Sequence, residues 1–250
     1  MKNKVLPLVG VGIFLMVWYI ISLTHIIKPV FLDPPHTVFK ALLEILLISQ
    51  TWGDIFATLY RTVIGFSLAA LVGTAVGMLI GYSSATRDTM EPLVDFLRSI
   101  PATALLPLFI ICFGIGDAGK IALIVFTATL IITIYTMLGV KNCNKARQRF
   151  AKTVGASQMD IFKKIVFFEA LPSTFAGLRT SISLALILVI VAEMIMMGGK
   201  AGLGGRIYLA RYGTDYTEMF ALIVVCGLIG YGLNRGFQTL GNKFIHWAGR

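Results

Sequence analysis

The chain has 250 residues, of which 57% are hydrophobic and only 14% are charged, and its formal net charge is +10. A soluble domain carries about 25% charged residues, so this composition excludes an ordinary water-soluble protein and favours a membrane protein. The basic residues gather at the ends of apolar stretches and not in one polar arm, which argues against a nucleic-acid-binding protein.

Six apolar stretches approach or exceed the ~20 residues that an α-helix needs to cross a bilayer. We therefore predict an all-α membrane protein with about six transmembrane helices, in which residues 1–250 form a single transmembrane domain. The first stretch is longer than the apolar core of a signal peptide, and no small-residue cleavage site follows it, so we interpret it as a retained helix. The predicted spans are Val5–Ile27, Arg61–Tyr82, Pro92–Phe113, Lys120–Val140, Pro172–Met197 and Met219–Gln238.

The segment between the first two spans is predicted to lie at the membrane interface. Pro34 and Pro35 indicate a rigid turn, and two short amphipathic stretches follow at His36–Ile48 and Gly53–Tyr60. Amphipathic helices of this kind lie on a bilayer and do not cross it.

The distribution of Lys and Arg predicts the orientation. With the N-terminus in the cytoplasm, the cytoplasmic segments hold most of the basic residues outside the spans, and the segment 141–164 is the most basic of them. The positive-inside rule then places both termini in the cytoplasm, as in a multi-pass protein of the inner cell membrane.

Two of the predicted spans carry small residues at four-residue intervals, a pattern that lets helix backbones approach closely in lipid. We predict a tight helix–helix seam at these positions, either within one subunit or between two. The residues are Ala69, Gly73, Gly77 and Gly81 in the second span, and Gly177, Ser181 and Ala185 in the fifth.

The basic segment 141–171 separates the fourth and fifth spans and is predicted to form a helical elbow outside the membrane. Gly155 weakens a helix that runs into it, and Ser157 followed by Asp160 fits the capped start of a new short helix. Leu171-Pro172 is predicted to end that helix, because a proline pushes the preceding residue out of the helical region.

The new short helix is predicted to be amphipathic, with basic residues beside an apolar face. Such a helix fits either an anionic lipid surface or a protein partner that docks on it, and the pattern alone leaves both alternatives open. The predicted apolar face consists of Met159, Phe162, Ile165 and Val166, with Lys163 and Lys164 elsewhere on the helix.

Several short motifs in this region give the chain a resemblance to a known family. Gly155-Ala156-Ser157, Phe162, Leu171-Pro172 and Gly177-Leu178-Arg179 resemble the EAA loop of ABC-importer permeases, which contacts the ATP-hydrolysing subunits. Where the family usually has Glu-Ala-Ala, this chain has Arg149-Phe150-Ala151. Further motifs resemble the nitrate, sulfonate and taurine branch of these permeases: Pro34-Pro35, Arg98-Ser-Ile-Pro101, Leu106-Pro107, Phe113-Gly-Ile-Gly116 with Lys120, Ala192-Glu193 and Gly202-Leu-Gly204.

The resemblance implies a type I ABC-importer permease fold with a cytoplasmic coupling helix. It implies that the chain is no enzyme and holds no cofactor, since ATP and Mg²⁺ would bind to cytoplasmic ATPase subunits. The other implied partners are a second copy of the chain in a homodimer, an extracytoplasmic substrate-binding protein and the lipid bilayer. The solute would be a small anion such as nitrate, a sulfonate or taurine, or a vitamin-type precursor. The residues expected to dock the ATPase subunits are Ala151, Gly155, Ala156, Ser157, Met159, Phe162, Lys163 and Ile165.

The glycine-rich segment Ala201–Arg206 is expected to form an outer gate or a binding-protein contact, with a plain flexible connector as the alternative. Glu193 lies about one turn before this segment, where its carboxylate would accept hydrogen bonds from loop N–H groups or pair with Lys200 or Arg206. The expected gate residues are Glu193, Gly202, Gly204 and Arg206.

Charged residues within spans are candidates for the transport pathway. Arg98 and Arg179 lie near the inner ends of their spans, where each could instead extend its charge to the interface, and Arg98 could pair with Asp95. With Pro101, these two arginines are the candidate pathway residues.

A stand-alone secondary transporter or channel is the alternative function. It would require several intramembrane carboxylates or broken helices, whereas the predicted spans contain only Asp95 and Glu193. Gly114–Ile121 nearly matches a phosphate-binding loop, but Ile121 stands where Ser or Thr would hold magnesium, so we expect no nucleotide there. The histidines and cysteines show no catalytic or metal-ligand spacing, so we predict no catalytic and no metal-binding residues.

Overall fold

The computed structural model describes residues 5–24, 26–28, 30–199 and 201–245. Every regular element in these residues is a helix, which confirms the predicted all-α class. The predictions for the chain termini and for Lys200 concern residues outside these ranges. The helices are α1 (Val5–Leu23), α2 (Pro35–Leu46), α3 (Ser49–Tyr82), α4 (Ser84–Ser99), a 3₁₀ turn (Ala102–Leu105), α5 (Leu106–Phe113), α6 (Asp117–Lys141), α7 (Lys145–Thr153), α8 (Gln158–Ile161), a π-helical turn (Phe162–Val166), α9 (Phe167–Ile195), α10 (Gly202–Tyr212) and α11 (Tyr216–Phe244).

Four helices in the described residues are long and apolar enough to cross a membrane, namely α3, α6, α11 and the continuous helix Gln158–Ile195 that contains α8 and α9. Helices α4 and Ala102–Phe113 form a fifth candidate if they are counted as one broken span. A shorter apolar helix, Val9–Leu23, lies within α1. The structure departs from the predicted spans in three places.

The first departure is in α3, which runs without a break from Ser49 to Tyr82. The stretch Gly53–Tyr60 is therefore not a separate interfacial helix, as we had predicted. Its amphipathic pattern has another cause, because the polar residues Asp54 and Thr58 face the interior of the bundle and are buried.

The second departure is in the third predicted span, where α4 and the helix Ala102–Phe113 meet at a bend of 83°. Ile100 is extended there, with φ −73° and ψ 122°, as expected for a residue that precedes a proline. Pro101 thus breaks the predicted Pro92–Phe113 span into two helices.

The third departure concerns Pro172, which does not end the short helix of the elbow but lies inside α9. A π-helical turn, Phe162–Val166, precedes the proline and joins α8 to α9 without a break. Packing holds α9 on both sides of the proline, since Ala170 is fully buried and Thr174 is 2% exposed. Tertiary contacts therefore override the local preference of the residue before a proline.

The predicted small-residue seam is confirmed, and it lies within one chain between α3 and α6. A Cβ atom added to Gly73, Gly77 or Gly81 would lie 2.9, 2.6 or 2.7 Å from the Cβ atoms of Ile132, Thr136 and Val140, respectively. The seam continues to α9, where a Cβ on Gly177 would lie 2.5 Å from the Cβ of Tyr135. Helix α6 is therefore held between α3 and α9 at backbone contact distance.

We expect Gly77→Ala to lower the free energy of unfolding by about 1–3 kcal/mol, since the added methyl group overpacks the seam. Gly53→Ala is the matched control in the same helix, because an added Cβ there meets no atom within 4 Å in the described part of the chain. Thermal unfolding of the purified protein in detergent measures both. Equal melting temperatures for the two variants would contradict the assignment of Gly77 to a tight seam.

Candidate functional sites at the two ends of α9

The helix Gln158–Ile195 connects two polar sites at opposite ends of the bundle. One is the elbow, which we define as α7, α8 and the turn between them. The other is a cluster of charges, all but Asp117 buried, at the far end of α9, where α3, α6 and α10 meet it.

The elbow contains a well-defined turn at the end of α7. The N–H of Ala156 donates to the carbonyl of Ala151 and the N–H of Gly155 to that of Lys152, both at 3.0 Å, which is the Schellman pattern of a helix end. Gly155 has φ +83°, a conformation that residues with a Cβ rarely adopt. An added Cβ at Gly155 meets no atom within 4 Å among the described residues, so backbone strain and not bulk would disturb the turn.

The predicted new helix begins at Ser157, as the spacing indicated. The Ser157 hydroxyl accepts a hydrogen bond from the N–H of Asp160 at 3.1 Å and caps the helix. Lys164 lies 3.0 Å from the Asp160 carboxylate and stabilises the first turn of the same helix. The elbow is thus a helix–turn–helix with both inner ends capped.

Side-chain contacts tie the elbow to the membrane helices. The Glu169 carboxylate of α9 accepts hydrogen bonds from the N–H of Asn144 at 2.7 Å and from Arg147 at 2.6 Å. Tyr82, at the end of α3, donates from its hydroxyl to Gln158 at 2.9 Å. These contacts therefore link the elbow to both α3 and α9.

The predicted apolar face of the short helix is wrong in its composition. Met159 is 59% exposed, but Val166 is 1% exposed, and Phe162 packs edge-on against Tyr82 with ring centroids 5.2 Å apart. The π-helical turn that begins at Phe162 adds residues per turn and rotates the later side chains inward. The large apolar side chains that the elbow leaves exposed are Phe150 (70%), Val154 (68%) and Met159 (59%).

The eight expected docking residues all lie on the elbow or on the π-helical turn. Four are exposed and four are half-buried, and three of the half-buried residues line a surface pocket of about 290 Å³ on the elbow. The exposed residues are Gly155, Ser157, Met159 and Lys163, and the half-buried ones are Ala151, Ala156, Phe162 and Ile165.

Cys143 lies buried under the elbow, where its Sγ is 3.4 Å from the Gly139 carbonyl and 3.5 Å from that of Val166. Burial, aided by the Glu169 carboxylate, raises the pKa of this thiol to about 11. The thiol therefore stays protonated and unreactive at neutral pH.

At the other end of α9, Glu193 is fully buried and accepts four contacts. Arg61 Nη1 lies 2.5 Å from Glu193 Oε1, and the Thr58 hydroxyl donates to Oε2 at 2.9 Å. The N–H of Gly204 also donates to Oε2, at 2.9 Å. The expected hydrogen bond from the glycine-rich segment to Glu193 is therefore present.

Two further residues of α6 complete the cluster. Arg61 also lies 2.8 Å from Asp117, and Lys120, which is fully buried, donates from Nζ to the Gly198 carbonyl at 3.0 Å. Arg61 itself is only 1% exposed. The cluster thus places two cations and two anions at the meeting point of α3, α6, α9 and α10.

The expected pairing of Glu193 with Arg206 is wrong. Arg206 instead lies 2.6 Å from Glu218 and 3.7 Å from Asp54, and it donates to Thr51 at 2.6 Å. Arg206 therefore ties α10 to α3 and α11, while Arg61 neutralises Glu193.

The glycine-rich segment is helical and buried, so the alternative of a flexible connector does not describe it. A Cβ on Gly202 would lie 2.4 Å from the Glu193 carboxylate, and one on Gly204 would lie 2.1 Å from the Ile190 carbonyl. These glycines permit a close approach of α10 to α9, which is a different use from the mobility that we expected. A gating role for this segment stays a prediction.

Sequence reasoning missed Arg61, Thr58, Asp117 and Lys120. Arg61 was only the first residue of the second predicted span, and Asp117 and Lys120 belonged to the stretch Gly114–Ile121 that nearly matched a phosphate-binding loop. A usable signal was present, since Arg61 and Lys120 begin predicted spans, Asp117 lies just before one and Glu193 lies near the end of another.

The candidate pathway residues lie apart from this cluster. Arg98 pairs with Asp95 at 2.8 Å, as expected from their spacing, and Pro101 lies at the bend after α4. Arg179 donates from Nε to Asn234 at 2.7 Å, which joins α9 to α11. No group of side chains in the described residues has the composition of a metal site.

We expect Arg61→Met to lower the free energy of unfolding by about 3–5 kcal/mol, since it leaves the Glu193 charge buried and unneutralised. The double variant Arg61→Met/Glu193→Gln should recover a large part of this loss. Lys40→Met is the control, because its pair with Glu44 is exposed and 3.9 Å long. Melting temperatures in detergent measure all three, and an equal loss in the double variant would contradict a buried ion pair.

A family model and named relatives match the sequence of this chain. A family model described as binding-protein-dependent transport system inner membrane component matches residues 70–238. The taurine transport system permease protein TauC of Escherichia coli is 30% identical over 253 residues, which cover 99% of this chain and 91% of TauC. The nitrate import permease protein NrtB of Synechocystis sp. is 33% identical over 182 residues, which cover 73% of this chain and 66% of NrtB.

Solved structures show the same fold at low sequence identity. The MetNI methionine ABC transporter in an inward-facing conformation matches with a TM-score of 0.66 and 21% identity over 78% of this chain and 94% of the matched chain. A bacterial ABC transporter involved in the import of the acidic polysaccharide alginate matches with a TM-score of 0.68 and 13% identity over 96% of each chain. The resemblance stated from the sequence is confirmed, and the chain belongs to the family of binding-protein-dependent transport system inner membrane components.

Proposed function

We propose that the chain is the membrane-spanning subunit of an ABC importer for small oxyanions of the sulfonate and nitrate type. The observation that carries this proposal is the capped elbow, which exposes apolar side chains beyond the membrane helices and is hydrogen-bonded to α3 and α9. Relatives named for taurine and nitrate transport support the solute class. The anion would be delivered by an extracytoplasmic substrate-binding protein.

The elbow is the proposed docking site for cytoplasmic ATPase subunits, which would bind ATP and Mg²⁺ and carry out the hydrolysis. This assignment places residues 141–171 and both chain termini in the cytoplasm, as the charge asymmetry favours. Two copies of the chain would form a homodimer around the pathway. Closure of the ATPases would move the elbow, and α9 would carry that movement to the cluster around Glu193.

The stand-alone secondary transporter receives less support from the charges within the spans. Such a transporter binds its coupling ion or proton at intramembrane carboxylates or at broken helices, and the bend at Pro101 supplies one broken helix. The two carboxylates that the sequence offered, Asp95 and Glu193, are paired with Arg98 and Arg61. The importer therefore fits the geometry better.

Uptake in proteoliposomes tests the proposed function. The chain is purified with its ATPase subunits and binding protein, and uptake of radiolabelled taurine, methanesulfonate and nitrate is measured with ATP and with a non-hydrolysable analogue. Import of at least one anion only with hydrolysable ATP supports the proposal. Import without hydrolysis, or of none of the three, would overturn it.

We expect Met159→Asp to weaken ATPase association by about tenfold or more, since truncating or charging a central apolar contact costs about 2 kcal/mol. The variant should fold normally because Met159 is mostly exposed. Thr214→Asp is the control, in the exposed turn between α10 and α11 at the other end of the bundle. Co-purification of the ATPase measures association, and full recovery with Met159→Asp would show that the ATPase docks elsewhere.

A further inference from the structure

Arg179 is a cation in the middle part of a membrane-spanning helix. Ten helical residues separate it from Glu169 at the elbow, which is about 15 Å along the axis, and fourteen separate it from Glu193, which is about 21 Å. Both distances exceed the length of an arginine side chain. Arg179 therefore reaches neither the elbow nor the charge cluster.

Arg179 has a hydrogen-bond acceptor, but the described residues give it no counterion. Its Nε donates to Asn234 Oδ1 of α11 at 2.7 Å, and none of the carboxylates in the described ranges pairs with it. The side chain is exposed, and Nε is the nitrogen that donates to this amide. A charge of this kind is costly in lipid and is found where it faces water, a ligand or a protein partner.

The surface around Arg179 is small and polar on the α9 side and mixed on the α11 side. Its exposed neighbours on α9 are Ala176 and Thr180. On α11, the exposed Arg235 follows Asn234, and Tyr231, 71% exposed, lies about one turn before it. The small side chains on α9 leave the guanidinium of Arg179 accessible.

We propose that Arg179 is an anion-contact residue of the translocation pathway and that Asn234 orients its guanidinium toward the solute. The proposal rests on the proposed function, which supplies an oxyanion as the solute. The planar fork of a guanidinium donates two parallel hydrogen bonds to two oxygens of a sulfonate or a nitrate. Asn234 occupies Nε, which leaves the two terminal nitrogens for the anion.

The same guanidinium could instead contact the phosphate of a lipid headgroup. The experiment distinguishes a transported anion from a lipid phosphate. The complete complex with ATPase and binding protein is assayed in proteoliposomes for uptake of taurine, methanesulfonate and nitrate. The variants are Arg179→Gln, Arg179→Lys and Asn234→Asp. The control is Lys243→Gln, which removes a charge from the exposed last turn of α11.

We expect Arg179→Gln to lower uptake by about tenfold or more, the effect of losing a hydrogen bond to a charged group, and Arg179→Lys to retain an intermediate rate. Asn234→Asp should lower uptake as much as Arg179→Gln, because the new carboxylate neutralises the arginine without removing it. Basal ATP hydrolysis and assembly should stay at wild-type levels in every variant, and uptake should stay unchanged in Lys243→Gln.

Two results would overturn this inference while leaving the proposed function intact. One is wild-type uptake by an assembled Arg179→Gln complex. The other is a loss of assembly or basal ATP hydrolysis in Arg179→Gln together with normal uptake in Asn234→Asp, which would assign Arg179 to a lipid phosphate or to packing. Failure of the wild-type complex to import any of the three anions would instead overturn the proposed function itself.

Discussion

The buried ion pair between Arg61 and Glu193 is the interaction on which the rest of the structure depends. Neither charge can return to water without separating α3 from α9, because Arg61 is 1% exposed and Glu193 is fully buried. Breaking such a pair is far more costly than its net contribution to folding, since a lone buried charge remains. The pair therefore acts mainly as a constraint on how these helices can move relative to each other.

The constraint at Glu193 has a counterpart at the other end of α9, where α9 contacts the elbow. Glu169 holds the elbow through Asn144 and Arg147, so hydrogen bonds between charged or polar groups fix α9 at both of its ends. Between them, α9 packs against α6 at backbone distance through Gly177. Under the proposed function, α9 is the element that would carry a movement of the elbow to the cluster at Glu193.

The sequence predicted the features whose causes are local. The glycine that ends α7, the serine that caps the next helix and the Asp95–Arg98 pair each depend on residues a few positions apart. The small-residue seam was predictable for a similar reason, because a four-residue period places side chains on one face of a helix whatever its partner is.

The features that the sequence could not predict depend on distant partners. Arg61 and Glu193 are 132 positions apart, and nothing near either residue identifies the other. The apolar face of the short helix was predicted wrongly because it assumed 3.6 residues per turn, whereas a π-helical turn follows Ile161. Gly202 and Gly204 suggested a mobile segment. In the fold, a Cβ on either residue would collide with the Glu193 carboxylate or the Ile190 carbonyl, so these glycines allow close packing.

Three arginines of the membrane helices, Arg61, Arg98 and Arg179, differ in how their charges are neutralised. Arg61 is buried with two carboxylates, and Arg98 is exposed with one, so each charge is neutralised within the chain. Arg179 pairs with no carboxylate among the described residues, and its hydrogen bond to the Asn234 amide does not cancel its charge. Arg235 of α11 is likewise bonded to an amide, that of Gln238. Because Arg179 is exposed, a carboxylate in place of Asn234 would add little stability to the contact between α9 and α11, but it would neutralise the guanidinium. The amide therefore keeps the charge of Arg179 available, which suits the proposed contact with a negatively charged solute.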